Sequence, residues 1–248
     1  MQSEFFTVYR TARRGGGFDL FCPAHVLWLA AGALFIASVV CAYRKSGAKG
    51  RRAILFSLAS IIAADELSKH AFLIFIGEDS IDYLPLHLCS IGLFVCAAYA
   101  IHPNKLCGEF LYAVCLPGTV AALLFPGWSA LPPGSFITIH SFSYHILLAA
   151  FPAAILAGGD HRPSVRRLPA CAAILAAMSV PLWFFNKHFN TNFFFLNSAG
   201  KSNPLSLFVN LFGETRYVLG LPIIAAVLWF FMYLPFIIAE RRKNNCTS

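Results

Sequence analysis

Long apolar stretches of about 20 residues alternate along this chain with short polar connections. They run over 24–43, 53–76, 84–101, 107–125, 136–157, 168–187 and 217–238. A helix of that length crosses a hydrocarbon core about 30 Å thick. The stretches are continuous and do not alternate at every second residue, which argues against a barrel. The pattern predicts an all-α fold, a polytopic transmembrane helical bundle of about seven spans. Residues 1–23 read as an extracytoplasmic N-terminal arm, 24–239 as the transmembrane helical domain and 240–248 as a cytoplasmic basic tail. No cleavable leader pattern opens the chain.

The informative positions are the polar ones inside the apolar runs. The second span carries Asp65, Glu66, Lys69 and His70 in its outer half. Each ionisable group there costs about 2.5–3.5 kcal/mol on insertion scales, so they should face the bundle interior or water. Asp65 and Lys69, and Glu66 and His70, stand four residues apart and can pair along one helix face. The third span opens on Leu84-Pro85-Leu86-His87-Leu88-Cys89-Ser90, with Pro85 placed in a first helical turn. It follows the acidic turn Glu78-Asp79-Ser80-Ile81-Asp82. The fourth holds Glu109 and the helix-loosening Pro117-Gly118, the fifth His140, Ser141, Tyr144 and His145. His25 opens the first span, Asn186 and His188 close the sixth, and Asn192 follows. The long connection 187–216 contains Phe193-Phe194-Phe195-Leu196 and is itself apolar, as a re-entrant or interface-lying segment would be.

Composition agrees with the pattern. Charged residues make up 12%, about half the share of a soluble domain, and mean hydropathy is +0.67. The net charge of +8 lies mostly in short connections and suits anionic lipid; no basic stripe with interleaved aromatics is present for a nucleic acid. Lys and Arg number twelve in the connections after spans one, three and five plus the C-terminus, against six on the other side. The positive-inside rule then puts the chain in a cell membrane with its N-terminus outside and C-terminus in the cytoplasm. The polar residues, Glu109 apart, gather in the outer leaflet half, His145 about 8 Å deeper than His140, as around an outward-opening pocket. Eight cysteines, Cys22, Cys41, Cys89, Cys96, Cys107, Cys115, Cys171 and Cys246, show no CxxC spacing and indicate neither a disulfide framework nor a zinc ribbon.

Each candidate has a structural reading beside a chemical one. Glu66 and His70 either orient helices or act as base and proton relay. His87 either caps a helix or is a base. Cys89 packs as a small apolar residue, or is a nucleophile if a base such as His145 lowers its pKa. His87 and Cys89 are two residues apart and point to different helix faces, so they form no dyad with each other. Ser141 and His145 share a face. A metal held by His87, His145, His70 and Glu66 lacks local ligand spacing such as HExxH, and no cofactor is implied.

With these residues in place, the chain resembles the YwaF-like bacterial integral membrane family over nearly its whole length. The resemblance rests on His25, Glu66, Leu84-Pro85-Leu86-His87-Leu88-Cys89-Ser90, Gly118, Pro126, Tyr144-His145, Thr191-Asn192-Phe193-Phe194-Phe195-Leu196 and Tyr233-Leu234-Pro235-Phe236. That family usually has Asn-Tyr-Met-Phe-Leu where Asn192 to Leu196 stands here. It is in turn similar to eukaryotic transmembrane protein 164, described as a cysteine-dependent phospholipid acyltransferase. The resemblance implies a lipid-modifying enzyme, working by acyl transfer or hydrolysis on a phospholipid or acyl substrate in a His-lined pocket. His87, His145 and Asn192 match positions of the relative. Its cysteine immediately precedes the motif histidine, where Leu86 stands here, whereas Cys89 lies two residues after His87. A Cys89 thioester and a His145-led mechanism without a covalent intermediate are both open. The expected catalytic group is His87, Cys89, His145, Glu66 and His70, with Asn192, His25, Tyr144 and His140 contacting substrate. The alternative is a proton- or ion-coupled transporter, or a small-ligand-binding membrane protein, in which Asp65, Glu66, Lys69 and His70 relay charge. Substrate identity and oligomeric state are not legible here.

Overall fold

A computed structural model describes residues 4–12, 15–78, 80–200 and 204–245, with side chains as far as 239. Arg13, Arg14, Asp79 and Cys246, and the side chains of Glu240, Arg241, Arg242 and Lys243, therefore lie outside the described residues. The described chain is all-α. Nine α-helices follow in order: α1 Pro23–Lys45, α2 Ala48–Phe75, α3 Leu88–Ile101, α4 Lys105–Phe110, α5 Leu116–Leu124, α6 Phe136–Ala157, α7 Leu168–Phe189, α8 Ser206–Phe212 and α9 Gly220–Asn245. A π-turn, Leu111–Cys115, joins α4 to α5 into one rod.

Among the described residues, five segments are long and apolar enough to cross a membrane: Pro23–Lys45, Lys105–Leu124, Phe136–Ala157, Val165–Phe189 and Tyr217–Ala239. The two other expected spans differ for physical reasons. α2 has the length but carries the charged cluster. α3 is only 14 residues long, about 20 Å at 1.5 Å per residue. It also starts at Leu88 rather than near Leu84. Pro85 consequently sits in a turn before the helix, not in its first turn, and His87 is the N-cap with extended backbone.

α6 is the axis of the bundle. It packs against α1, α2, α3 and α5, and 72% of its apolar window is buried, against 11% for α7 and 6% for α9. Gly32 sets the α1–α6 distance: a Cβ there would stand 2.8 Å from Ile146 Cγ1. The main core gathers residues of α1, α2, α3, the α4–α5 rod, α6, α7 and α9 around Leu111, Leu148, Ala150 and Phe151.

The N-terminal arm packs onto the bundle. Val8 is buried with Leu73, Leu123, Trp128, Leu131, Ile137, Phe142 and Ile146, and Phe5 and Phe6 meet Phe72. The Phe18 N–H donates to the Ser129 carbonyl at 2.9 Å, which clamps the arm to the 125–135 loop. In the turn before α3, burial pushes the Tyr83 phenol above its ordinary pKa.

Proline shapes the junction of the α4–α5 rod with α9. Pro117 lacks the N–H that would pair with the Ala113 carbonyl; the chain relaxes into the π-turn, and the Trp229 indole of α9 donates to that carbonyl at 2.8 Å. Pro235 breaks the ladder of α9 in the same way. One turn before it the Met232 carbonyl accepts from the Tyr112 hydroxyl, again at 2.8 Å. Each helix thus supplies an aromatic donor near the other's proline break.

Candidate functional site

Two polar clusters lie at opposite ends of the bundle. The first is built where α2, α3 and α6 meet. Glu66 accepts from the Lys69 ammonium at 2.6 Å, has His70 Nε2 at 3.5 Å and faces His140 Nε2 at 3.8 Å. The expected Asp65–Lys69 pair is not formed. A helix turns 3.6 residues per revolution, so Lys69 reaches Glu66 three residues back as readily as Asp65 four back. The cross-helix His140 draws Asp65 instead: Nδ1 and Oδ2 stand 3.2 Å apart, without hydrogen-bond alignment to each other or to any other described group. Glu66 thus faces the one ammonium, Asp65 faces His140, and the His70 and His140 imidazoles stand beside Glu66.

One turn along α6, Tyr144 is fully buried and its hydroxyl reaches the Cys89 carbonyl at 3.4 Å. Next to it, His145 Nδ1 lies 2.6 Å from the Ser141 carbonyl. A carbonyl only accepts, so Nδ1 carries the proton and Nε2 presents a lone pair. No partner for Nε2 stands among the described residues. The Trp128 ring stacks on the His145 face with centroids 5.0 Å apart, and its buried indole N–H has no partner either. Trp128 belongs to the uncharged loop after α5 and did not stand out in the sequence, because a tryptophan in a Pro-rich loop carries no pattern of its own.

The remaining expected residues separate into two groups. His87 joins the cluster: it lies within electrostatic range of Lys69 and Glu66, and its ring meets Phe193 edge-on at 4.8 Å. Cys89, in the first turn of α3, also feels Glu66 and Lys69, but no described imidazole is within hydrogen-bonding distance of its thiol. His25 and Asn192 are occupied by the fold. His25 Nδ1 accepts from the Phe21 N–H at 2.9 Å, and Nε2 donates to the Leu123 carbonyl at 2.8 Å. Asn192 donates to the Ser198 carbonyl and hydroxyl and accepts from the Asn197 and Ser198 N–H groups, all within 3.0 Å. Asn192 is therefore the internal brace of the loop after α7. Phe194 and Phe195 in that loop have positive φ of 58° and 56°, a strained setting for bulky residues. What the loop delivers to the site is Phe193, fully buried against His87.

Beneath this loop stands a residue the chemical reading left aside. Asn186 is fully buried, accepts from Thr191 Oγ1 and the Phe193 N–H at 2.8 and 2.9 Å, and donates to the Phe193 carbonyl at 2.8 Å.

The second cluster surrounds Glu109 at the basic end. Its buried carboxylate accepts from Arg167 at 2.9 Å, from the Ser164 N–H at 3.1 Å and from the Tyr233 hydroxyl, with His161 Nε2 at 3.4 Å. Arg51 closes the same end, donating to the Gly158 carbonyl at 2.9 Å and to Asp160. The sequence pointed to Glu109 alone, since its partners come from separate connections and from α9.

Apolar helices packed around α6, with charged groups buried between them, define a polytopic helical membrane protein. The model of the TMEM164 family matches residues 20–233, and the chain belongs to that family. Neither a search of curated proteins nor one of solved structures returns a match.

Proposed function

We propose that this protein is a membrane-embedded lipid-modifying enzyme that transfers or hydrolyses an acyl ester, with His145 as general base. The observation that carries the reading is the His145 ring. Its Nδ1–H is pinned to the Ser141 carbonyl, its face rests on Trp128 and its edge meets Tyr144, and the Nε2 lone pair has no partner among the described residues. A fixed tautomer with a free lone pair is what a general base requires.

In this mechanism Nε2 takes a proton from water or from an acceptor hydroxyl as its oxygen bonds to the ester carbonyl carbon. The tetrahedral intermediate then expels the alcohol oxygen, which receives the proton back from the imidazolium. Water as nucleophile yields a free fatty acid and a lysolipid; a hydroxyl yields a new ester. Glu66 with His70 and His140 holds the local charge balance, and His87 is the second base at the site. A thiol without an imidazole partner at Cys89, together with Leu86 immediately before His87, favours the route without a covalent intermediate. The substrate class follows from the resemblance to phospholipid acyltransferases and from the position of the cluster among helices within a bilayer.

Purified protein incubated with phospholipid, its lipids resolved by mass spectrometry, tests this. His145→Ala should lower turnover by about 10²-fold or more, and Cys89→Ala should stay within a few-fold of wild type. Equal turnover in wild type, His145→Ala and His87→Ala would sink the proposal. The Asp65–His140 and Glu66–Lys69 contacts support a second reading, a proton- or ion-coupled transporter. It requires pH-driven solute flux in proteoliposomes that Glu66→Gln abolishes, with no change in lipid composition.

A further inference from the structure

A cleft of about 320 Å³ opens at the basic end of the molecule, away from the His145 cluster, lined by Pro163, Ser164, Val165, Arg166, Tyr233, Phe236 and Ile237. Its two walls differ in chemistry. One is the end of the α6–α7 connection, Pro163 and Ser164, together with Val165 and Arg166, the first residues of the crossing segment Val165–Phe189. The other is the last apolar turns of α9, which lead into the basic run Arg241-Arg242-Lys243 of the sequence. Both walls thus stand where an apolar crossing segment meets a basic stretch of the sequence, the setting in which headgroups give way to hydrocarbon.

The charges in the polar wall are unequally engaged. Arg167 is committed to Glu109 at 2.9 Å, and Tyr233, on the opposite wall, gives its hydroxyl to the same carboxylate. Arg166 is exposed and lines the cleft, with no hydrogen bond or ion pair to a described residue. The Glu109 carboxylate, which would repel an anion, is fully buried and accepts from Arg167, the Ser164 N–H and Tyr233, with His161 Nε2 at 3.4 Å. The Arg166 guanidinium, without a partner among the described residues, at the polar mouth and Val165, Phe236 and Ile237 on the apolar side form a two-part site. The first part matches a phosphate in bidentate fashion, and the second matches a chain of methylenes.

We propose that this cleft binds an anionic glycerophospholipid, its phosphate on Arg166 and the start of an acyl chain along Phe236 and Ile237. The occupant is a bilayer lipid rather than a soluble phosphate, because half of the site is apolar and faces the hydrocarbon. The site is independent of the acyl chemistry at His145 and lies at the opposite end of α6.

Native mass spectrometry of the full chain in detergent, titrated with dioleoyl phosphatidylglycerol, tests it. Phosphatidylcholine and glycerol 3-phosphate serve as comparison probes, and Lys49→Ala, an exposed cation of α2 at the same end, as a charge control. Phosphatidylglycerol should bind more tightly than phosphatidylcholine. Arg166→Ala should weaken it about fivefold, the worth of one arginine near an anionic surface, while Lys49→Ala leaves it unchanged. Three results would overturn the proposal: undiminished binding by Arg166→Ala, an equal loss in Lys49→Ala (a diffuse field rather than a site), or glycerol 3-phosphate binding as tightly as the lipid.

Discussion

Asn186 shows how much one buried amide can organise. Its carboxamide satisfies three backbone and side-chain groups of the loop after α7, and that loop seats Phe193 on His87. Replacing it by alanine leaves buried polar groups unpaired, at about 1–3 kcal/mol for each group exposed in this way. Asn186→Ala should therefore lower the melting temperature in detergent and open the segment 190–198 to limited proteolysis; an unchanged cleavage pattern would contradict this role. Glu109 is a stronger case, because a buried carboxylate serves Arg167, Tyr233, His161 and the Ser164 N–H at once. Glu109→Ala removes the acceptor of the buried Tyr233 hydroxyl and of the Ser164 N–H, and the half-exposed Arg167 keeps the Arg162 carbonyl; it should cost about 1–3 kcal/mol for each buried group left unpaired, measured by thermal unfolding. Both effects are structural, and both differ from the expected behaviour of His145, whose Nε2 has no hydrogen-bond partner among the described residues.

At the scale of elements, the α4–α5 rod and α9 hold each other through their irregularities. The π-turn ahead of Pro117 presents the Ala113 carbonyl to Trp229, and α9 presents the Met232 carbonyl to Tyr112. Trp229→Phe and Tyr112→Phe each keep the ring and remove one donor, and each should cost about 1 kcal/mol. Because the two bonds join the same pair of elements, the double variant should depart from additivity. Strict additivity in melting curves would show that α9 is held by apolar packing alone. Legibility also differed by element. Pro117-Gly118 was visible as a weak point, yet its consequence was not, since the donor that satisfies it stands 116 residues away. The start of α3 was misplaced because Pro85 is compatible with a first turn, and only the packing of the 80–87 turn puts the cap at His87.

For the whole molecule, Arg51, Asp160, Arg167 and Glu109 gather at one end, while His25, Trp128 and the N-terminal arm gather at the other. With the basic end in the cytoplasm, a fluorescent protein fused after Ser248 should fluoresce in a bacterial inner membrane, and a periplasmic phosphatase fused there should be inactive. The reverse result would invert the orientation and put the Arg166 cleft and the His145 cluster on exchanged faces. Buried α6 gathers α1, α2, α3 and α5 around itself, and α7 reaches the site through the loop that carries Phe193.

By itself the sequence determined the all-α membrane architecture and the course of five of the seven expected spans, and it singled out Glu66, His70, His87, His140 and His145 as polar residues within apolar runs. Those follow from hydropathy and from the cost of ionisable groups in hydrocarbon, which act on each segment separately. Which partners these groups chose was decided by tertiary structure: Asp65 for His140, Lys69 for Glu66, Trp128 for the face of His145, and the loop frame for Asn192. Helical spacing permits several pairings at once, and only the approach of a second helix or a folded loop selects among them.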